Sequence, residues 1–334
     1  AGKRTLSQWV KFANSLRLRL AIRVSMSAPD LARAEVAKAM DATAGGVLES
    51  ADETVAVSTE SGYKNPLGTV NEGWGEVFMG ATMESVLVGY NDPRLIKYYS
   101  KAEGGDIKDE KGNLIIAERN KIAGTYKGVP QGTGVTVKDE NRYRLHSKST
   151  ITKQTDAILM TAAEVWFLRA EAALRGFTSE NVKDCYEKGI TVSCQQWGVN
   201  VGDYLTSDAT PSDYVDAFEA KYDVKALIKV TPKWDGGASP EEQLERILTQ
   251  KWIACYPEGY EAWTEQRRTG YPQLFKVFVN NSGGAIDTNI RIRRLPYPSD
   301  IQKNNPTQYS ALKKALGGED NGGTRLWWDT GRNF

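Results

Sequence analysis

Apolar positions recur at helical spacing in three stretches of the chain, and each stretch reads as a pair of helices. In TLSQWVKFANSLRLRLAIRVS, starting at Thr5, the residues Trp9, Phe12, Ala13, Leu16, Leu20 and Val24 fall three or four apart and share one face. Ser25 to Pro29 interrupts this run, and Asp30 is placed to cap a second helix, DLARAEVAKAMDATA, which stops at Gly45-Gly46. Ala157 to Arg175 is rich in strong helix formers, with Met160, Ala163, Phe167, Ala170 and Leu174 on one stripe and Gly176 at the stop. Its partner helix, SENVKDCYEKGITVSCQQWG, opens at Ser179-Glu180. Ser239-Pro240 starts the third pair, EEQLERILTQKWIACY and then, after Pro257, GYEAWTEQRRTG. The stripes place Phe167 and Trp252 in the core. Paired helices of this length bury their apolar faces only against neighbours, which is the logic of stacked tetratricopeptide-like hairpins.

The pattern changes between the first two pairs. Fifteen of the 31 glycines fall from Gly45 to Gly134, so this region reads as loop with short strands. One helix is expected from Phe78 to Tyr90, and KDEKGN before Leu114, Ile115 and Ile116 reads as a hairpin turn. The predicted architecture is mainly α in a single domain. Helical hairpins lie at about residues 5–45, 156–197 and 240–269, with a loop-rich insertion at 46–150 and an irregular tail at 280–334. Long loops on a helical scaffold are the usual carriers of function.

Composition removes several functions. Forty-three Lys and Arg against 42 Asp and Glu leave a charge of +1, which argues against a general nucleic-acid binder. No stretch reaches the roughly 18 uninterrupted apolar residues of a membrane helix. Cys185, Cys194 and Cys255 form neither a paired disulfide framework nor a zinc spacing and read as buried free thiols. His146, the only histidine, lies in the polar run NRYRLHSKST and reads as a surface residue. No phosphate-binding glycine loop, dinucleotide fingerprint or HExxH is present.

What remains is aromatic. Tyr63, Trp74, Tyr98, Tyr99, Tyr126, Tyr143, Trp234, Trp327 and Trp328 lie outside the helical stripes, and a loop aromatic offers a flat face for a sugar ring. Trp74, between Gly73 and Gly75, is the leading candidate for ligand stacking, with Asn71 and Glu72 to serve hydroxyls and Tyr63 and Tyr126 next in line. Asn65 also lies near Trp74. Glycoside hydrolysis would need two carboxylates about 5 to 9.5 Å apart. Glu72, Glu76 and Glu84, or Glu258, Glu261 and Glu265, are the available acids, but Glu261 and Glu265 read better as a solvated face or as partners of Arg267 and Arg268. No organic cofactor is expected. Asp106, Asp109, Glu110 and Asn113 offer hard oxygens for calcium without the helix-loop-helix spacing.

Six strings, in order along the chain, resemble the SusD/RagB family, the surface glycan-binding lipoproteins of Bacteroidetes. They are KFANSLRLRLAIRVS (from Lys11), NDPRL (from Asn91), ILMTAAEVWFLRAEAALRG (from Ile158), ILTQKWIACYPEGYEAWTEQRRTGYP (from Ile247), RRLPYP (from Arg293) and RLWWDT (from Arg325). The resemblance implies a tetratricopeptide-like helical fold and a non-enzymatic binder of glycans or other nutrients at the outer-membrane surface. It further implies a partner, a SusC-like TonB-dependent transporter, and membrane association only through a lipid anchor that this chain does not contain. Family members are usually longer, so the chain corresponds to the C-terminal two-thirds. The matched strings are scaffold motifs and transfer no sugar-binding role. Two other classes stay open: a tetratricopeptide-like protein–protein scaffold and, with less support, a glycoside hydrolase.

Overall fold

A computed structural model describes residues 5–134 and 141–334. The helix α1 (Leu6–Arg23) is opened by a capping box. The Thr5 hydroxyl accepts from Gln8 N, and the Gln8 side chain accepts from Thr5 N. It packs against α2 (Pro29–Met40), and the chain then enters the insertion, of which residues 135–140 lie outside the described residues. The insertion holds β1 (Val55–Val57), α3 (Pro66–Trp74), α4 (Ala81–Gly89), α5 (Leu95–Tyr98), β2 (Ile107–Lys108) and β3 (Leu114–Ile116). The last two form the expected hairpin. After it come β4 (Ala157–Met160), α6 (Ala162–Leu174), α7 (Val182–Gln196), α8 (Pro240–Ala254) and α9 (Gly259–Thr269). The tail, expected to be irregular, carries two exposed helices, α10 (Ser299–Asn304) and α11 (Pro306–Leu316). The fold is helical with only short strands, as the periodicity requires.

The main core fills the space between α1, α2, α6, α7 and α8, with Leu18, Ile22, Val36, Ile190 and Ile247 buried around Phe167, which is 0% exposed. Three expectations need correction. First, α1 buries Asn14, Ser15, Leu18, Ala21 and Ile22, while Trp9 and Leu20, on the predicted stripe, are 54% and 52% exposed. The helix is apolar on two faces, and α2 and α6 meet the other one; periodicity alone does not choose between them. Second, Ala157–Met160 is a strand, paired antiparallel with β1 through Val55 and Met160. The helix begins later because the Thr161 hydroxyl accepts from Glu164 N and fixes the N-cap there. Third, Trp252 is only half-buried.

His146 also departs from expectation. It is buried, edge-on to Tyr143 at 5.1 Å and 6.0 Å from Phe218, and neither ring nitrogen is hydrogen-bonded among the described residues. Burial, with Lys127 nearby, pushes its pKa down to about 3. The apolar partner Phe218 comes from far along the chain, where a local reading of polarity does not reach. Cys185, Cys194 and Cys255 are buried and free, as expected.

Two buried polar assemblies tie the helices together. In NDPRL, Arg94 Nε and Nη2 donate to the two carboxylate oxygens of Asp92 (2.9 and 2.6 Å), Nη1 to Ser193 and Nη2 to Gln250, while Tyr204 also donates to Asp92. The motif is thus a knot joining the α4–α5 turn to α7 and α8. The second assembly joins α1, α6, α8 and α9. Arg268 grips Glu171 with two bonds of 2.7 Å and Glu265 with two, of 2.5 and 3.3 Å, and Arg175 donates to Glu171 at 2.8 Å. Lys251 lies 3.2 Å from Glu261 and 3.5 Å from Glu265; Arg19 holds Glu164, and Arg23 holds Glu261. Burial opposes ionisation of Glu171, Glu261 and Glu265. Arg268 and Lys251, the cations with the largest effect, nonetheless hold all three below the usual carboxylate range.

Two helical glycines position the loops. A Cβ on Gly68 would stand 2.1 Å from the Thr152 carbonyl, and one on Gly89 would stand 2.2 Å from Ser212 N. Loop backbone therefore lies directly on the backbone of α3 and α4.

Candidate functional site

The N-terminus of α4, the C-terminal part of α8, α9 and the loop that follows it line an open-sided chamber of about 730 Å³. Its rings are Tyr99, Trp252, Trp263 and Phe275, and Leu274, Val277, Val279, Ile286 and Ile292 complete the apolar wall. The loop keeps its shape through its own polar groups. The Asn280 amide donates to the Ile286 carbonyl (2.8 Å) and the Thr288 hydroxyl (2.9 Å), and Phe278 N donates to the Gln131 carbonyl (3.0 Å). Trp263 is fixed on one side by Arg267, whose guanidinium stacks 3.7 Å from the ring centroid and is backed by Trp328 at 5.0 Å. Its indole N–H donates to the Ile292 carbonyl at 3.1 Å. The chamber therefore meets the remaining face of a held ring.

The polar equipment is mostly neutral. The side-chain amides of Gln266 and Asn281 line the chamber without a hydrogen-bond partner among the described residues, and the Gln131 amide uses only its oxygen. Arg291 is the one cation in the lining, and no aspartate or glutamate lines the chamber among the described residues. A pocket of this volume with aromatic walls and a few directed amides suits one or a few sugar rings.

The residues singled out from sequence lie elsewhere. Trp74 is the last residue of α3 rather than part of a loop, capped by left-handed Gly75, and is 65% exposed. Tyr63 is 38% exposed, whereas Tyr126 packs half-buried against the main core. Asn71 donates its amide to the carbonyls of Ser149 (2.8 Å) and Ile151 (2.9 Å), and Glu72 accepts from Lys153 N at 2.7 Å. These two side chains fasten the 149–153 segment to α3. None of the five lines the chamber.

Of the chamber rings, helical spacing assigns Trp252 to the core and places Trp263 within a helix, whereas Tyr99 is among the loop aromatics and Phe275 carries no signal of its own. The available signal was the glycine- and asparagine-rich loop 280–284 after α9. Of the acids considered for hydrolysis, Glu84 is buried against Lys127 (2.6 Å) and Gly128 N (2.7 Å). Glu261 and Glu265 are buried in the ionic assembly, so the solvated-face reading of that pair is overturned and the pairing reading stands for Arg268. Asp109 folds back on Lys111 N, Asn113 N and the Asn113 amide, and Asp106 accepts from Glu118 N. Among the described residues no three acidic, histidine or cysteine side chains converge as metal ligands.

No helix of the described residues is long and apolar enough to cross a membrane. No match was found among curated proteins. A family model described as SusD-like, "Susd and RagB outer membrane lipoprotein", matches residues 2–329. Among solved structures, a SusD homologue from Bacteroides vulgatus is 52% identical over 99% of this chain, with a TM-score of 0.89. A chitin-binding SusD homologue from Flavobacterium johnsoniae is 38% identical over 98%, with a TM-score of 0.86. A third, from Bacteroides thetaiotaomicron, is 33% identical over 97%, with a TM-score of 0.84. The chain spans 64%, 65% and 66% of those three proteins respectively. With the family model covering nearly its whole length and this helical frame shared, the chain belongs to the SusD-like family.

Proposed function

We propose that the protein binds glycans at the cell surface, held at the outer membrane as a lipoprotein, and delivers them without cleavage to a SusC-like TonB-dependent transporter. The observation that carries this reading is the aromatic chamber with its uncommitted amides. Family membership and the likeness to a chitin-binding relative support it. A chamber wall without carboxylates favours binding over hydrolysis, which needs an acid pair across the scissile bond. Exposed Trp74 and Tyr63 are a second stacking platform on the insertion.

The test is calorimetry against a panel of soluble oligosaccharides, with and without calcium, alongside chromatography for released products. Trp263→Ala is expected to remove most measurable affinity and Trp74→Ala to reduce it less, each with circular dichroism to confirm folding. Loss with Trp74→Ala alone moves the site to α3, product release makes the protein a glycosidase, and a calcium requirement reopens the Asp106–Asn113 turn. The outward apolar stripe of α1 favours one other reading, a protein–protein scaffold. Glycan indifference together with capture of an amphipathic peptide helix at Trp9 would establish that reading instead.

A further inference from the structure

The chamber is apolar and amide-lined except at one point. Arg291 makes no ion pair among the described residues: Nη1 donates to Gln131 Oε1 at 3.0 Å and Nη2 to the Phe275 carbonyl, both neutral acceptors. Asp287, the acid on the same loop, accepts from Asn289 N at 2.7 Å instead. Arg291 also sits at φ +64°, a left-handed backbone that a long side chain adopts only when the surroundings impose it. Arg94, Arg268 and Arg293 each hold a carboxylate, and Arg267, which holds none among the described residues, is covered by the rings of Trp263 and Trp328; Arg291 has neither compensation among the described residues. Burial lowers the Arg291 pKa from its ordinary value, with no nearby carboxylate to oppose it. A strained, half-buried guanidinium with unused N–H donors, facing a ligand-sized chamber, lacks one thing, an anion.

We infer that the chamber selects an acidic sugar, with Arg291 pairing the carboxylate of a uronic-acid residue while the tryptophans stack on its ring. This rests on the glycan-binding reading and narrows it to a substrate class. The lining amides of Gln266 and Asn281 are available to ring hydroxyls, which a carboxylate-bearing pyranose also presents. Only charge separates the acidic ligand from its neutral isostere, so the discrimination resides in Arg291.

The experiment compares tetragalacturonate with its fully methyl-esterified form, which keeps the ring and chain length but loses the charge. Calorimetry on the whole chain is expected to show the acid binding about ten- to a hundredfold tighter than the ester, with the preference falling as sodium chloride rises. Arg291→Met is expected to abolish the preference, and Arg291→Lys to keep part of it. Should Arg291→Met fail to fold, the salt dependence of the wild-type preference decides the matter alone. Equal binding of acid and ester overturns the acidic-sugar inference and leaves glycan binding intact. Binding of neither, nor of any neutral oligosaccharide, removes the glycan-binding reading itself. Tighter binding of pentaglutamate than of tetragalacturonate would make the anion a peptide and overturn the sugar class.

Discussion

Replacing Glu171 with glutamine isolates the electrostatic term in the buried assembly, because the side chain keeps its shape and loses only its charge. Glu171 is fully enclosed and accepts two bonds from Arg268 and one from Arg175. A glutamine turns one NH2 group toward guanidinium N–H groups, so two donors face each other and Arg268 keeps Glu265 as its sole counter-charge. Breaking one partner out of a buried pair costs about 3–5 kcal/mol. For 334 residues the unfolding entropy is about 0.7 kcal/mol/K, so the midpoint should drop by roughly 4–7 °C.

The acid limb adds a second signature. The folded pKa of Glu171 is lowered, so its stabilisation is complete above about pH 4.5, the ordinary carboxylate value, and is lost as pH falls further. Glu171→Gln should flatten that decline by up to about 1.4 kcal/mol per pH unit. Urea and thermal melts at pH 7 and at steps down to pH 3 would measure both effects. The double change Glu171→Met with Arg268→Met should recover only part of the loss, since it removes the pair but leaves Glu265 to Lys251 and Arg175 without its acid. A loss under about 1 kcal/mol with an unchanged acid limb would refute the account.

Gly176 follows α6 at φ +67°, and Gly176→Val should cost about 1–2 kcal/mol through backbone strain alone, because no atom crowds the position; urea denaturation measures it. His146→Phe should retain stability at pH 7 and alter its pH dependence. The unfolded chain takes up a proton below about pH 6.5 that the folded histidine refuses until about pH 3, so wild-type stability falls with acid across that window. An equally steep decline in the variant between those limits would contradict the burial argument. Gly68→Ala should lift the 152–153 segment from α3 and expose it to limited proteolysis, since the new methyl would run into the backbone of Thr152 and Lys153.

The helical frame was legible because its signals are local. Ser239 does cap α8 with Glu242, Gly176 and Gly270 do end α6 and α9 in the left-handed region, and Phe167 is central to the core. What was not legible depends on distant partners. The choice between the two apolar faces of α1 is made by α2 and α6, and the burial of His146 by Phe218. The chamber was hidden for the same reason. Trp252 and Trp263 keep helical register whether they face a core or a cavity, and only the loop around Asn280 creates the cavity. Asn71 and Glu72 looked available because their acceptor and donor, the 149–153 backbone, lie about 80 residues away. Helix α3 itself was missed because Gly68 and Gly73 depress its propensity, while Asn65 and Pro66 supply the start.

Where α3 and α4 meet the loops at Gly68 and Gly89, contact is backbone on backbone. The path of each loop at those points is set by peptide groups that every amino acid shares, so side chains there are not bound to any particular identity. At these two points the fold therefore tolerates a change of side chain on the loops but not the addition of a single methyl group on the helices.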